Sequence, residues 1–174
     1  MINVQLSMKR LFLLLSVFIT CLSGGAQEIR SVKITDVEKI IADSRTPLIV
    51  NMWATWCKPC VEEIPYFLKE VREHNASISA GSDSIHLLLV SLDFKEAYPD
   101  AIAAFAEKRK FSATIVWLDE TNADYFCPKI DPKWSGAIPA TLFVNHQTGY
   151  RNFFEEQLSH KELKTELMAL LKKN

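Results

Sequence analysis

Two thiols three positions apart, Cys57 and Cys60, stand in the run Trp56-Cys57-Lys58-Pro59-Cys60. Thiols at that spacing can form and open a disulfide. As a thiolate, Cys57 would attack a substrate disulfide and form a mixed disulfide; Cys60 would then attack the Cys57 sulfur and release the reduced substrate. The reverse order oxidises a substrate. A structural staple is a competing use, but so short a loop removes little chain entropy. Half of a zinc site is another. It needs two further ligands, and His74, His86, His146, His160 and Cys127 lack the paired spacing such sites use.

The elements around the pair decide how reactive it can be. Leu48 to Trp53 is a nearly continuous apolar run, the pattern of a strand buried on both faces. Val61, Ile64, Phe67, Leu68 and Val71 then recur at helical spacing, so a helix starts near Cys57, with a kink predicted at Pro65. The first cysteine would sit where helix N–H groups are unpaired, which stabilises a thiolate. Lys58 adds a nearby cation, and Pro59 is tolerated in the first turn. A turn of helix brings the two Cα atoms to about 5–6 Å, within disulfide range.

Further strands are predicted at Val32–Ile34, Ile85–Leu92, Thr114–Leu118, Ala140–Asn145 and Tyr150–Phe154. The last two join through His146-Gln147-Thr148-Gly149 as a hairpin. Helices are predicted after a Thr35–Glu38 capping box, with Val37, Ile40 and Ile41 inward, and after Pro99, with Ile102, Phe105 and Ala106 inward. A last one follows a Ser159–Glu162 capping box, with Leu163, Leu167, Leu170 and Leu171 inward. Asp119 to Ala137 has no clear period. Strands alternating with helices imply an α/β fold, a central mixed sheet flanked by helices.

The first residues read as an address. Lys9 and Arg10 precede the apolar run Leu11–Ile19, and Ser23, Gly24, Gly25 and Ala26 follow. That is the pattern of a secretory signal peptide over residues 1–26, cut after Ala26. The run is shorter than the roughly 18 residues of a membrane span, which disfavours an uncleaved anchor. A lipid anchor at Cys21 fits less well, because Phe18-Ile19-Thr20 precede it. Residues 27–174 then form one domain. Its expected location is periplasmic or otherwise extracytoplasmic, where disulfides persist.

Composition excludes other classes. The 174 residues carry a net charge of −1, which argues against nucleic acid as a partner. Losing Lys9 and Arg10 leaves 18 basic against 21 acidic residues, a net charge of −3. Hydrophobic residues make up 48%, too many for a disordered chain, and four cysteines are too few for a disulfide-stapled scaffold. No nucleotide-binding glycine fingerprint is present, so no cofactor is expected.

The run Ile49-Val50-Asn51-Met52-Trp53-Ala54-Thr55-Trp56-Cys57-Lys58-Pro59-Cys60, with Glu63, Pro65 and Ile138-Pro139-Ala140-Thr141-Leu142-Phe143, resembles the thioredoxin superfamily. It is most similar to the TlpA/ResA-like extracytoplasmic branch, over about Val32 to Leu171. The helix and strand between Pro99 and Leu118 look like that branch's insertion. The resemblance implies a catalytic role for Cys57 and Cys60. It implies that the Ile138–Pro139 bond is cis, that the loop packs on the cysteines, and that its backbone pairs with substrate. Trp56 matches the tryptophan that shapes the surface there. Asn51 replaces the buried aspartate of thioredoxin, and an amide cannot exchange a proton at ordinary pH. Glu63, three residues after the second cysteine, matches the glutamate implicated in the branch. One turn from Cys60, and partly buried, it could move a proton to or from that thiol.

The resemblance further implies a reductase acting on protein disulfides and charged by a membrane thiol-disulfide donor. Cytochrome c maturation is one implied pathway, and a monomer is expected. The alternatives are a disulfide oxidase or isomerase and, in another class, a Cu(I)-binding chaperone using the same two thiolates. A thiol peroxidase would need threonine where Ala54 stands. Cys127 reads as a buried inert thiol.

Overall fold

The computed structural model describes residues 28–78 and 83–172. The expected leader, its cut and Cys21 lie outside them. Twelve elements follow in chain order: β1 (Arg30–Val32), α1 (Ile34–Asp43), β2 (Leu48–Trp53), α2 (Lys58–Ser77), β3 (His86–Ser91), a 3-10 turn (Lys95–Ala97), α3 (Asp100–Arg109), β4 (Thr114–Leu118), α4 (Ala123–Ile130), β5 (Ala140–Asn145), β6 (Tyr150–Phe154) and α5 (His160–Leu171). The strands form one sheet in the order β1-β4-β3-β2-β5-β6. β1, β4, β3 and β2 run parallel; β5 runs antiparallel to β2, and β6 antiparallel to β5. The expected α/β fold with a mixed sheet is therefore present.

Every residue of β2 is buried, as its apolar run requires of a central strand. Side chains alternate across the sheet. Ile49 and Trp53 of β2 join Ile64 and Phe67 of α2, Ile102 of α3 and Leu163 of α5 in one apolar layer. Leu48, Val50 and Met52 join Val37 and Ile41 of α1 and Ile130 of α4 in the other. Each such side chain contributes roughly 1.5–3 kcal/mol when fully buried. The layers hold β2 rigidly, and its C-terminal end carries the two cysteines. α2 runs unbroken through Pro65.

Local signals misplace three features. The first strand is Arg30–Val32, and Ile34 already begins α1. The cap of α1 lies two residues before the predicted box: Lys33 is the N-cap, and its N–H donates to Asp36 Oδ2 at 2.8 Å. Glu38 instead pairs with Lys129 at 3.0 Å, tying α1 to α4. The unassigned stretch Asp119–Ala137 holds α4, whose Phe126, Cys127 and Ile130 are buried. Pro128 inside that short helix hides its period. By contrast, the Ser159–Glu162 capping box closes in both directions. The predicted hairpin forms too, with Gly149 at φ +72°.

Candidate active site

Cys57 is the N-cap of α2, and its Sγ accepts a hydrogen bond from Cys60 N–H at 3.4 Å. In the dithiol form, an N–H aimed at that sulfur favours the thiolate. The two cysteines are joined as a disulfide with Cα atoms 5.3 Å apart. Cys57 keeps 5% of its surface exposed and Cys60 none, so Cys57 is the sulfur a partner can reach. Lys58 points to solvent and pairs with Glu62 at 3.7 Å, so part of its field on Cys57 is offset by that carboxylate.

The Ile138–Pro139 peptide bond is cis, and the Ile138 carbonyl oxygen lies 3.8 Å from Cys57 Sγ. The segment leading to Ile138 is held by Glu155. One Glu155 carboxylate oxygen accepts from Ser135 N–H at 2.9 Å, Ser135 Oγ at 2.5 Å and Ala137 N–H at 2.9 Å. Trp134 Nε1 donates to the Ala137 carbonyl at 2.8 Å. These bonds fix the backbone that faces the disulfide.

Beneath the pair lies a buried polar cluster. Asn51 shares the sheet face of Ile49 and Trp53, and register places it directly opposite Thr141 on β5. Its Nδ2 donates to Thr141 Oγ1 and to Glu63 Oε1, both at 2.9 Å. Glu63 Oε2 accepts from Leu158 N–H at 2.8 Å. All three side chains are fully buried. Burial pushes the Glu63 carboxyl up to about 7, against the two hydrogen bonds that favour its charged form. Glu63 is not a solvated helix residue like its neighbour Glu62. Its hydrogen-bond partners are Asn51 and Leu158, and Cys60 stands one helical turn away on the same buried side.

The sequence places Asn51 at the buried aspartate position and Thr141 in the run after Pro139 but links neither to Glu63, and nothing in it points to Leu158. A lone amide in an apolar strand is a usable signal for Asn51; one partner, Glu63, lies 12 positions on in α2, and the other, Thr141, lies 90 positions on in β5. Trp56 lies beside the cysteines and is 58% exposed. Cys127 is remote from this cluster and free. It packs in the opposite layer, and burial with Glu155 and Asp124 nearby pushes its thiol up to about 11. A cleft of about 740 Å³ lined by Leu68, Arg72, His86 and Thr114 lies at the opposite ends of the parallel strands and contains none of these residues. Among the described residues, no group of three His, Cys, Asp or Glu side chains could hold a metal ion.

No protein-family model matches the chain. The thioredoxin-like protein YneN of Bacillus subtilis (strain 168) is 31% identical over 80 residues, 45% of this chain and 42% of that protein. The chain thus spans less than half the length of the curated relative it matches. Among solved structures, a thioredoxin-related protein of Neisseria meningitidis serogroup B superposes with a TM-score of 0.57 at 23% identity, over 75% of this chain and 89% of that one. A secreted disulfide oxidoreductase of Mycobacterium tuberculosis superposes with a TM-score of 0.52 at 18% identity, over 74% and 84%. At these identities the likeness is one of fold. A mixed sheet in this order, with a Cys-x-x-Cys disulfide where β2 meets α2, makes this chain a thioredoxin-fold protein.

Proposed function

We propose that the protein is an extracytoplasmic thiol-disulfide oxidoreductase, working as a reductase of protein disulfides. The observation that carries this reading is the Cys57–Cys60 disulfide at the N-terminus of α2, with its outer sulfur beside the Ile138 carbonyl. Cys57 thiolate attacks one sulfur of a substrate disulfide; that S–S bond breaks, one substrate thiolate leaves, and a mixed disulfide forms. Cys60 gives up its proton and attacks Cys57 Sγ, expelling the second substrate thiolate. The protein's dithiol has then lost two electrons and the substrate has gained them. Glu63 accepts the Cys60 proton, a task suited to a buried carboxyl whose pKa lies near 7. Ile138, ahead of Pro139, supplies backbone for the substrate chain, and Trp56 forms the adjoining surface.

A separate dithiol donor must return the two electrons, and the expected one is membrane-borne. The leader-like residues 1–26 and the secreted structural neighbour support a site outside the cytoplasm. Among the described residues no helix is long and apolar enough to cross a membrane.

Direction is tested by equilibrating the protein with glutathione buffers and measuring the Cys57–Cys60 potential. A reductase requires a value well below that of strong oxidants, which lie near −120 mV. A potential above about −150 mV would replace the reductase by an oxidase.

A further inference from the structure

Trp56 and Phe94 are 58% and 71% exposed, and neither belongs to either apolar layer. Their rings stack at 21° with centroids 6.1 Å apart. They come from different loops, one after β2 and one after β3, and those loops are braced together. Asp93 accepts from Thr55 N–H at 3.1 Å, from Thr55 Oγ1 at 2.6 Å and from Ser91 Oγ at 2.8 Å. Trp117 Nε1 donates to the Asp93 carbonyl at 2.8 Å, and Leu92 N–H to the Trp53 carbonyl at 2.8 Å. The aromatic pair is thus held on a stiff base, although packing of the fold does not call for it.

We propose that Trp56 and Phe94 form a docking surface for an aromatic or large apolar side chain that a substrate polypeptide carries beside the cysteine attacked by Cys57. The proposal rests on the oxidoreductase reading above. Trp56 adjoins Cys57 in the chain, so the pair continues directly from the reactive disulfide. Its size points to one side chain as occupant. Two rings present a few hundred Å² at most, whereas a stable interface between copies buries about 1,200 Å² or more. Lys58 nearby is paired with Glu62, and the exposed Lys95 after Phe94 is followed by Glu96, so neither sign of charge dominates the spot to favour an ionic partner. A substrate ring laid on Phe94 would add offset stacking to its burial, and the two rings are already ordered for it.

The test uses two disulfide-bonded peptides differing only in phenylalanine or serine next to the attacked cysteine, with bis(2-hydroxyethyl) disulfide as a third substrate. Wild type should reduce the phenylalanine peptide about tenfold more efficiently in kcat/KM, chiefly through KM. Phe94→Ser should bring that ratio close to one, and Phe94→Trp should restore it. Reduction of bis(2-hydroxyethyl) disulfide with no preference between the peptides would overturn the docking proposal alone. So would a preference that survives Phe94→Ser, or a dimeric wild type made monomeric by Phe94→Ser. Failure to reduce any of the three would overturn the oxidoreductase reading, and the docking proposal with it.

Discussion

Cys57→Ser is expected to abolish thiol-disulfide exchange, lowering insulin reduction by at least about a thousandfold, as loss of a nucleophile does elsewhere. The effect should be chemical. A hydroxyl at this position is not ionised near neutrality and cannot form the mixed disulfide. The fold should survive, because serine is a good N-cap and still offers an oxygen to the Cys60 N–H that now points at sulfur. The lost disulfide closes a very short loop, for which the chain-entropy model assigns at most about 2 kcal/mol. Circular dichroism and a denaturant midpoint near that of the reduced wild type would separate lost chemistry from lost structure. Insulin reduction retained in the variant would remove Cys57 from the mechanism.

The second large effect belongs to Glu63. Its carboxyl is raised to about 7 in the folded protein from an ordinary value of 4.5, with burial as the main cause. Between those values the folded state holds a proton that the unfolded chain has released. Stability from this group is therefore complete below about pH 4.5 and falls as pH rises through about 7. The full change is on the order of 3 kcal/mol. Glu63→Gln should lack that fall and so gain on the wild type above pH 7. Glutamine is neutral and nearly isosteric; its oxygen can still accept from Leu158 N–H, and Asn51 can turn its amide to accept from the new NH2 group. Exchange should respond as well. The wild-type rate should show an inflection near pH 7 that disappears in Glu63→Gln, with a loss of about tenfold or more at neutral pH. Denaturant melts and rate profiles across pH 4 to 9 provide the check. Parallel profiles for the two proteins would leave Glu63 as a packing residue without a proton to move.

Why the site was partly legible from sequence follows from its parts. Cys57, Cys60 and Glu63 lie within seven consecutive positions, and helical spacing alone puts the carboxylate one turn from the inner thiol. β2 declares itself by an unbroken apolar run, and β5 and β6 by the hairpin turn between them. What sequence did not disclose depends on register and loop geometry. Asn51 meets Thr141 because β2 and β5 pair antiparallel in one register. Leu158 reaches Glu63 from the segment before α5, 95 positions along the chain. Phe94 meets Trp56 only because Asp93 draws two loops together. Thr35 and Glu38 copy a capping box by type, while the residue that closes the cap of α1 is Asp36. In α4, Pro128 masks a helix that tertiary burial of Phe126 and Ile130 sustains.

The central claim is that substrate sulfur bonds to Cys57 and is released by Cys60. It is tested most directly by intact-mass and peptide mapping of Cys60→Ser after incubation with a disulfide-bonded peptide. The prediction is a single stable adduct, mapped to Cys57. Cys127 should stay unmodified, because with its thiol near 11 only about a thousandth of it is thiolate at pH 8. Wild type treated alike should show no lasting adduct and should instead end with its own Cys57–Cys60 disulfide closed. No adduct on Cys60→Ser, or one confined to Cys127, would contradict the account.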